Sequence, residues 1–304
     1  MKTQVSASAA RVVSTTRDKV GESPVWDHRA QALYWVDIEG RLIHRLDWAS
    51  GQQQSWNTPE RVGCIALADG GVVVAAMESG VFAVRLQTPP AAELTRLATI
   101  VHPQPNMRFN DGRCDASGRF WISTMCMDMS LAASVGAWYC LDERGLSPAH
   151  CEGLITPNGL AFSPDDATMY FSDSHPSVQK VWAFEFDLAQ GRVGAGREFL
   201  DMTHLPGRPD GAAVDSEGCY WICGNDAGVV LRIDQHGRVV SSVPVPVAKP
   251  SMCAFGGPHL DILLVTSICP AGVSAGLCGA VFAIEVGVRG RPEPRFSRFP
   301  SAGA

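Results

Sequence analysis

The sequence predicts an all-β fold, a six-bladed β-propeller, and three observations carry that prediction. Strand-like cores recur as LYWVDI (33–38), GVVVAAM (71–77), RFWISTM (119–125), MYFSDS (169–174), CYWICGN (219–225) and DILLVTS (261–267). Aligned on Trp35, Val74, Trp121, Phe171, Trp221 and Leu264, they are spaced by 39, 47, 50, 50 and 43 residues, the period of propeller blades. The chain of 304 residues is also rich in turn formers, with 30 Gly and 20 Pro, and nearly lacks helical periodicity.

Each core follows an apolar run and a turn, such as GRCDASG, GLAFSPDDA and GAAVDSEG. Asp and Ser bond their own backbone there, and Gly accepts positive φ. In RPDGAAVDSEG this assigns Asp215 and Gly218 to the hairpin. A second strand follows each core, for example KVWAFEFD (180–187), and outer strands such as SSVPVPV (241–247) complete the units. The one helical candidate is PPAAELTRL (89–97). The whole chain, 1–304, reads as a single domain. ARVVSTTR (10–17), which has no partner in the first unit, is expected to close the last blade.

Composition excludes several classes of function. With 46% hydrophobic and 18% charged residues the chain can bury a core. Its net charge is −6 and no stretch is rich in Lys or Arg, which argues against nucleic acid or an anionic membrane as partner. No apolar run has the length of a membrane span, and the first twenty residues lack a secretory apolar segment. The ten cysteines are scattered through apolar strands, so free thiols and a cytoplasmic location are expected. Cys219 and Cys223 lack a second pair at zinc spacing. No nucleotide-binding glycine motif and no G-x-S-x-G elbow occurs.

In a propeller, the loops leading into the innermost strands meet at one end of the axial channel. Four of these approaches carry polar residues: Glu22 in GESPVW; Arg108, Asn110 and Asp111 in RFNDG; Asn158 in PNG; and Asp210 in PDG. Each alone is an ordinary turn residue. Together, at equivalent points of a repeat, they predict a divalent-cation site at one end of the channel. Glu22 and Asp210 would neutralise a doubly charged ion and Asn158 would add a neutral carbonyl. Oxygen ligands suit calcium, magnesium or manganese, and zinc and ferrous iron also accept carboxylates. Asp37 and Asp173 are read as equally suited to the channel or to blade packing. His44 and His236 are placed on the surface, and His175 is a weaker candidate for the channel rim.

The motifs GESPVWD, LYWVDIEGRLIHRLD, RFNDGRCDASGRFWISTM, PNGLAFSPDDATMYFSDS and PDGAAVDSEGCYWIC resemble, in this order, the gluconolactonase/regucalcin (senescence marker protein) family. The resemblance covers roughly residues 15 to 290. It implies a six-bladed propeller with one divalent metal that hydrolyses aldonolactones. By motif, Glu22, Asn158 and Asp210 are similar to the family's metal ligands, and Arg108 and Asn110 to its substrate-binding pair. Asp128, in TMCMDMS, matches an acidic substrate residue in a loop of variable length. The expected reaction is metal-dependent hydrolysis of a small sugar lactone to its aldonic acid, with Asp210 taking a proton from the attacking water and Glu22 able to share that role. No obligatory protein partner is evident. Two other readings use the same site: organophosphate or aryl ester hydrolysis, and a non-catalytic calcium-binding regulator.

Overall fold

The computed structural model describes residue 5, residues 7–273 and residues 276–300. Six antiparallel sheets stand around a common axis, each a blade. A short strand β1 (Arg11–Val12) precedes the first blade, which is β2 (Gly21–Asp27), β3 (Ala32–Asp37), β4 (Leu42–Asp47) and β5 (Gln53–Asn57). The second is β6 (Cys64–Leu67), β7 (Val72–Ala76), β8 (Gly80–Leu86) and β9 (Ala92–Thr99). The third is β10 (Met107–Cys114), β11 (Phe120–Cys126) and β12 (Gly136–Asp142), with β13 (Gly145–Leu146) and β14 (Cys151–Leu154) at its outer edge. The fourth is β15 (Pro157–Phe162), β16 (Thr168–Asp173), β17 (Lys180–Asp187) and β18 (Arg192–Asp201). The fifth is β19 (Arg208–Val214), β20 (Tyr220–Asn225), β21 (Val229–Ile233) and β22 (Val239–Pro244). The sixth is β23 (Pro250–Gly256), β24 (Ile262–Ser267) and β25 (Phe282–Glu285). Its outermost strand is β1, paired with β25 as Arg11↔Ala283 and Val12↔Phe282. The first and last parts of the chain therefore share a blade, which removes a sheet edge and closes the ring.

The spacing of the cores is explained by their position. Trp35, Val74, Trp121, Phe171, Trp221 and Leu264 all lie on the second strand of a blade and are essentially fully buried. The core is divided among six apolar clusters, one between each pair of neighbouring blades. Each blade buries both faces, so its strands read as apolar runs more than as strict alternation. Polar repeats lock the inner hairpins: Asp115 accepts from Ser117 N and Arg119 N (2.9 and 3.0 Å) and from Trp121 Nε1 (3.0 Å). Asp215 does the same for Glu217 N, Cys219 N and Trp221 Nε1, each at 2.9 Å.

Three local expectations are corrected. The segment 89–97 is no helical turn: it runs into β9, where Ala92–Thr99 pairs with β8 and faces solvent on its polar side. His44 is buried, with Nδ1 2.7 Å from Ser55 Oγ and Nε2 3.2 Å from Asp18 Oδ1, because β4 is an internal strand. The thiols are not all free: Cys269 and Cys278 form a disulfide, their Cα atoms brought to 4.6 Å by the loop between β24 and β25. The remaining eight cysteines form no disulfide. Asp37 and Asp173 turn out to tie backbone. Asp37 accepts from Lys19, Val20 and Gly40 N, and Asp173 from Ile155, Thr156 and His175 N.

A strap made of residues 289–298 crosses the hairpin end of the channel. Its bonds reach Leu260 O, Ser216 N, Ser163 O, Gly118 O and Leu67 O on five different blades. Phe296 is buried in the cluster between the second and third blades. Glu293 lies over the axis and binds Arg113 through both carboxylate oxygens at 2.7 and 2.8 Å. Among the described residues no helix is long and apolar enough to cross a membrane.

Candidate functional site

The opposite end of the channel gathers the polar residues. The innermost strands adjoin in the order β2, β6, β10, β15, β19, β23 and back to β2. Glu22, Cys64, Asn110, Asn158, Asp210 and Ser251 occupy equivalent positions, each five residues before the next hairpin residue (Asp27, Asp69, Asp115, Ser163, Asp215, Gly256). Five of the six strands carry a register irregularity beside this position; β6 does not. An extra residue in a strand bends it and re-aims its side chains, which is how bulges serve sites at the rims of barrels. At β15 the bulge uses Gly159 at φ +68, where a Cβ would lie 2.5 Å from Tyr220 Oη, so glycine is required on two grounds.

A hydrogen-bonded arc joins the third, fourth and fifth blades. Arg108 Nη1 donates to Asn110 Oδ1 (2.6 Å) and to Phe109 O (2.9 Å). Asn110 Nδ2 donates to Asn158 Oδ1 (2.9 Å) and to Pro157 O (2.8 Å). Asn158 Nδ2 donates to Ser174 Oγ (2.8 Å), and Ser174 Oγ in turn donates to Pro209 O, next to Asp210. Asn225 Nδ2 donates to Asp210 Oδ2 at 2.6 Å. Across the ring, Ser251 Oγ donates to Gly21 O, beside Glu22. Four of the six sequence candidates (Arg108, Asn110, Asn158 and Asp210) thus belong to one network. Glu22 joins them electrostatically.

Charge is concentrated here. Burial holds the Asp210 carboxyl up at about 7 from its ordinary 3.8, and the bond from Asn225 opposes that rise. Glu22 is pushed well above the usual carboxylate range, first by burial and then by the charges of Asp210 and Asp111. Two carboxylates crowded in a partly dry channel resist double ionisation. Burial pulls the Arg108 guanidinium down while Glu22 pulls it up.

The donor set suits a hard divalent cation. Glu22, Asp210 and Asn158 present oxygens, and the Asn158 carbonyl is fixed in direction by Asn110 and Ser174. Asn225 Oδ1 is buried and has no hydrogen-bond partner, an open acceptor beside Asp210. Among the described residues no group of three or more His, Cys, Asp and Glu side chains forms a metal cluster.

Asp128 stands apart from the arc. It is exposed, follows β11, and caps a short turn by accepting from Ser130 N (3.0 Å) and Ser130 Oγ (2.6 Å). His175 lies on the same rim, with Nε2 3.3 Å from Met129 O in the Asp128 loop. Sequence reasoning missed Asn225, Ser174 and Ser251. Asn225 and Ser174 lie at or just past the ends of second strands, where the only signal is a polar residue ending an apolar run.

The closed ring of six blades carries an acid–amide girdle at one mouth. The chain belongs to the SMP-30/gluconolactonase/LRE-like family, which it matches over residues 20–269. It is 37% identical over 283 residues to 6-deoxy-6-sulfogluconolactonase of Pseudomonas putida, covering 91% of this chain and 95% of that one. It is 33% identical to L-arabinolactonase of Azospirillum brasilense, over 83% of this chain and 82% of the relative. The crystal structure of a calcium-binding protein, regucalcin, from Agrobacterium tumefaciens superposes with a TM-score of 0.87 at 29% identity, covering 95% of this chain and 97% of that one.

Proposed function

We propose that this protein is a single-domain, cation-dependent sugar lactonase that opens an aldonolactone to its aldonic acid. The observation that carries the reading is the Asp210–Asn225 pair within a girdle of oxygen donors, in a chain related to two sugar lactonases. Glu22, Asn158 and Asp210 would hold the divalent cation, and calcium is the first candidate because a similar structure is that of a calcium-binding protein. When bound, the cation supplies a Lewis acid for the lactone carbonyl and lowers the pKa of water at the site.

The side chains do the rest. Asn225 occupies Asp210 Oδ2 and so fixes the plane of the carboxylate, leaving Oδ1 to accept a proton from the attacking water. A bound cation would favour the ionised form of Asp210, the form that can accept a proton. Arg108 is steered by Phe109 O and Asn110 Oδ1 through one nitrogen, which leaves Nε and Nη2 for substrate hydroxyls or the carboxylate that develops. Asn110 fixes both Arg108 and Asn158, so it sets the spacing between the substrate donors and the cation ligands. Asp128, on the rim, would read a hydroxyl far from the carbonyl.

A pH-indicator assay with gluconolactone, xylonolactone, arabinonolactone, galactonolactone and the 6-sulfo analogue of gluconolactone tests this. Acid release that stops on chelation and returns with calcium or manganese is expected. Release from none of the five, with cation present, would refute the reading.

A further inference from the structure

The girdle has a second tier on its outward side. Alternate residues of a strand share a face, so the residues two places before the girdle positions stack above them. These are Val20, Val62, Arg108, Thr156, Arg208 and Lys249, at or just before the starts of the inner strands. Three of the six are cations. Arg108 already has a part in the reaction described above. Arg208 and Lys249, on the adjacent fifth and sixth blades, have none.

Hydrogen bonds tie Arg208 to the site. Its Nη1 donates to Ser174 O (3.2 Å), and Ser174 Oγ carries the link from Asn158 to Pro209 O. Its Nε is 2.7 Å from Asp226 Oδ2, and Lys249 Nζ donates to Asp226 Oδ1. Asp226 follows Asn225, so one strand end gives an amide to Asp210 and a carboxylate to the tier above. The fork of Arg208 is held in place with Nη2 free of hydrogen bonds among the described residues, and Lys249 has donors to spare.

Partial burial opposes ionisation of Asp226, but the bonds from Lys249 and Arg208 outweigh it and hold its carboxyl below the ordinary 3.8. Two cations therefore share one anion, and neither touches another carboxylate among the described residues. The Arg208 and Lys249 side chains are only 22% and 29% exposed, so the excess positive charge is partly withdrawn from water. A neutral polyol gives that charge no partner, whereas an anion accepts charge-assisted bonds from both.

We propose that Arg208 and Lys249 form an anion subsite that recognises a negatively charged substituent on the lactone, at the end remote from its carbonyl. The inference rests on the lactonase reading above and names the substrate class: an acidic aldonolactone bearing a sulfonate, phosphate or carboxylate. With the carbonyl at the girdle, a tier two strand residues outward, about 7 Å away, meets the far end of a six-carbon lactone. Arg208 Nη2 and the Lys249 ammonium bind the oxygens of the substituent, and Asp226 sets the spacing between the two cations.

The test is steady-state hydrolysis of gluconolactone and of its 6-sulfo, 6-phospho and 6-carboxylate analogues, with cation present, by the wild type, Arg208→Gln and Lys249→Gln. The wild type should favour at least one charged lactone over gluconolactone by about tenfold or more in kcat/KM, and the three analogues show which anion fits. In each variant the ratio of charged to neutral kcat/KM should fall by about 10- to 100-fold. Arg208→Lys, which keeps the charge but not the fork, should recover part of the loss. A wild type without preference, or variants that keep it, would overturn the proposal and leave the lactonase reading standing. Equal loss on charged and neutral lactones would mean that Arg208 only supports Ser174 and Asp210, and would also overturn it. Lys249→Gln, at a side chain that bonds only Asp226, decides the matter where Arg208→Gln folds poorly. A wild type that opens none of the four lactones refutes the lactonase reading, and the subsite with it.

Discussion

Replacing Asp210 by asparagine should make the metal-free protein more stable and catalytically dead. Asparagine keeps the shape and an acceptor for Asn225 but removes the charge. The folded metal-free state holds a proton on Asp210 far more tightly than the unfolded chain does, about 7 against 3.8. A carboxyl raised in this way penalises folding as pH rises: nothing below about pH 4, a growing cost between about 4 and 7, and the full cost above about 7. At about 1.4 kcal/mol per pH unit, the full cost is on the order of 4 kcal/mol. Weakening the bond to Asn225 returns about 1 kcal/mol. Asp210→Asn should therefore gain about 3 kcal/mol at pH 8, which raises the melting temperature by about 5 °C in a chain of this size. The gain should shrink steadily toward pH 5. The assay is differential scanning calorimetry in chelator at pH 5, 6, 7 and 8, paired with lactone hydrolysis in the presence of cation. A variant that melts lower than the wild type at pH 8, or one that retains wild-type turnover, would refute the assignment of Asp210 as a buried, uncompensated base.

Other outcomes follow from the same geometry. Arg108→Lys removes the planar fork and should lower kcat/KM by at least about tenfold while leaving calorimetric cation affinity unchanged. Cation binding should release protons from Asp210 and Glu22, both held protonated above the usual carboxylate range in the metal-free protein, so affinity should rise with pH, as seen by calorimetry in buffers of different ionisation enthalpy. Thiol titration of unfolded, unreduced protein should count eight thiols, rising to ten after reduction, because Cys269 and Cys278 form a disulfide. Glu293→Ala should destabilise the fold by about 3 kcal/mol by stranding Arg113, read as a lower denaturation midpoint.

The blades were legible because each must bury an aromatic or aliphatic residue on its second strand, and that demand prints a period. Glu22, Asn110, Asn158 and Asp210 were legible because they stand at one point of that period. Asn225 was not, since nothing in CGND says which way a strand end faces; its role exists only through the neighbouring Asp210. His44 misled because a histidine after a turn looks solvent-facing, whereas an internal strand carries it against Asp18. PPAAELTRL misled because its apolar spacing suits a helix, and the open edge of β8 overrode that preference. The strap 289–298 carries no repeat and little apolar pattern. Its contacts are mostly backbone carbonyls and arginines, which leave no periodic mark.

That strap also decides how traffic through the molecule runs. With Glu293 and Arg113 bonded to each other at the hairpin end, the proposed lactone site at the girdle would be approached from the girdle mouth. A molecule entering there would also leave past the girdle residues. On the proposed reading, an aldonate formed there would carry a new negative charge past a rim where Arg208 and Lys249 share the one carboxylate of Asp226. Arrival of the next substrate and departure of the last product would then be competing uses of one mouth.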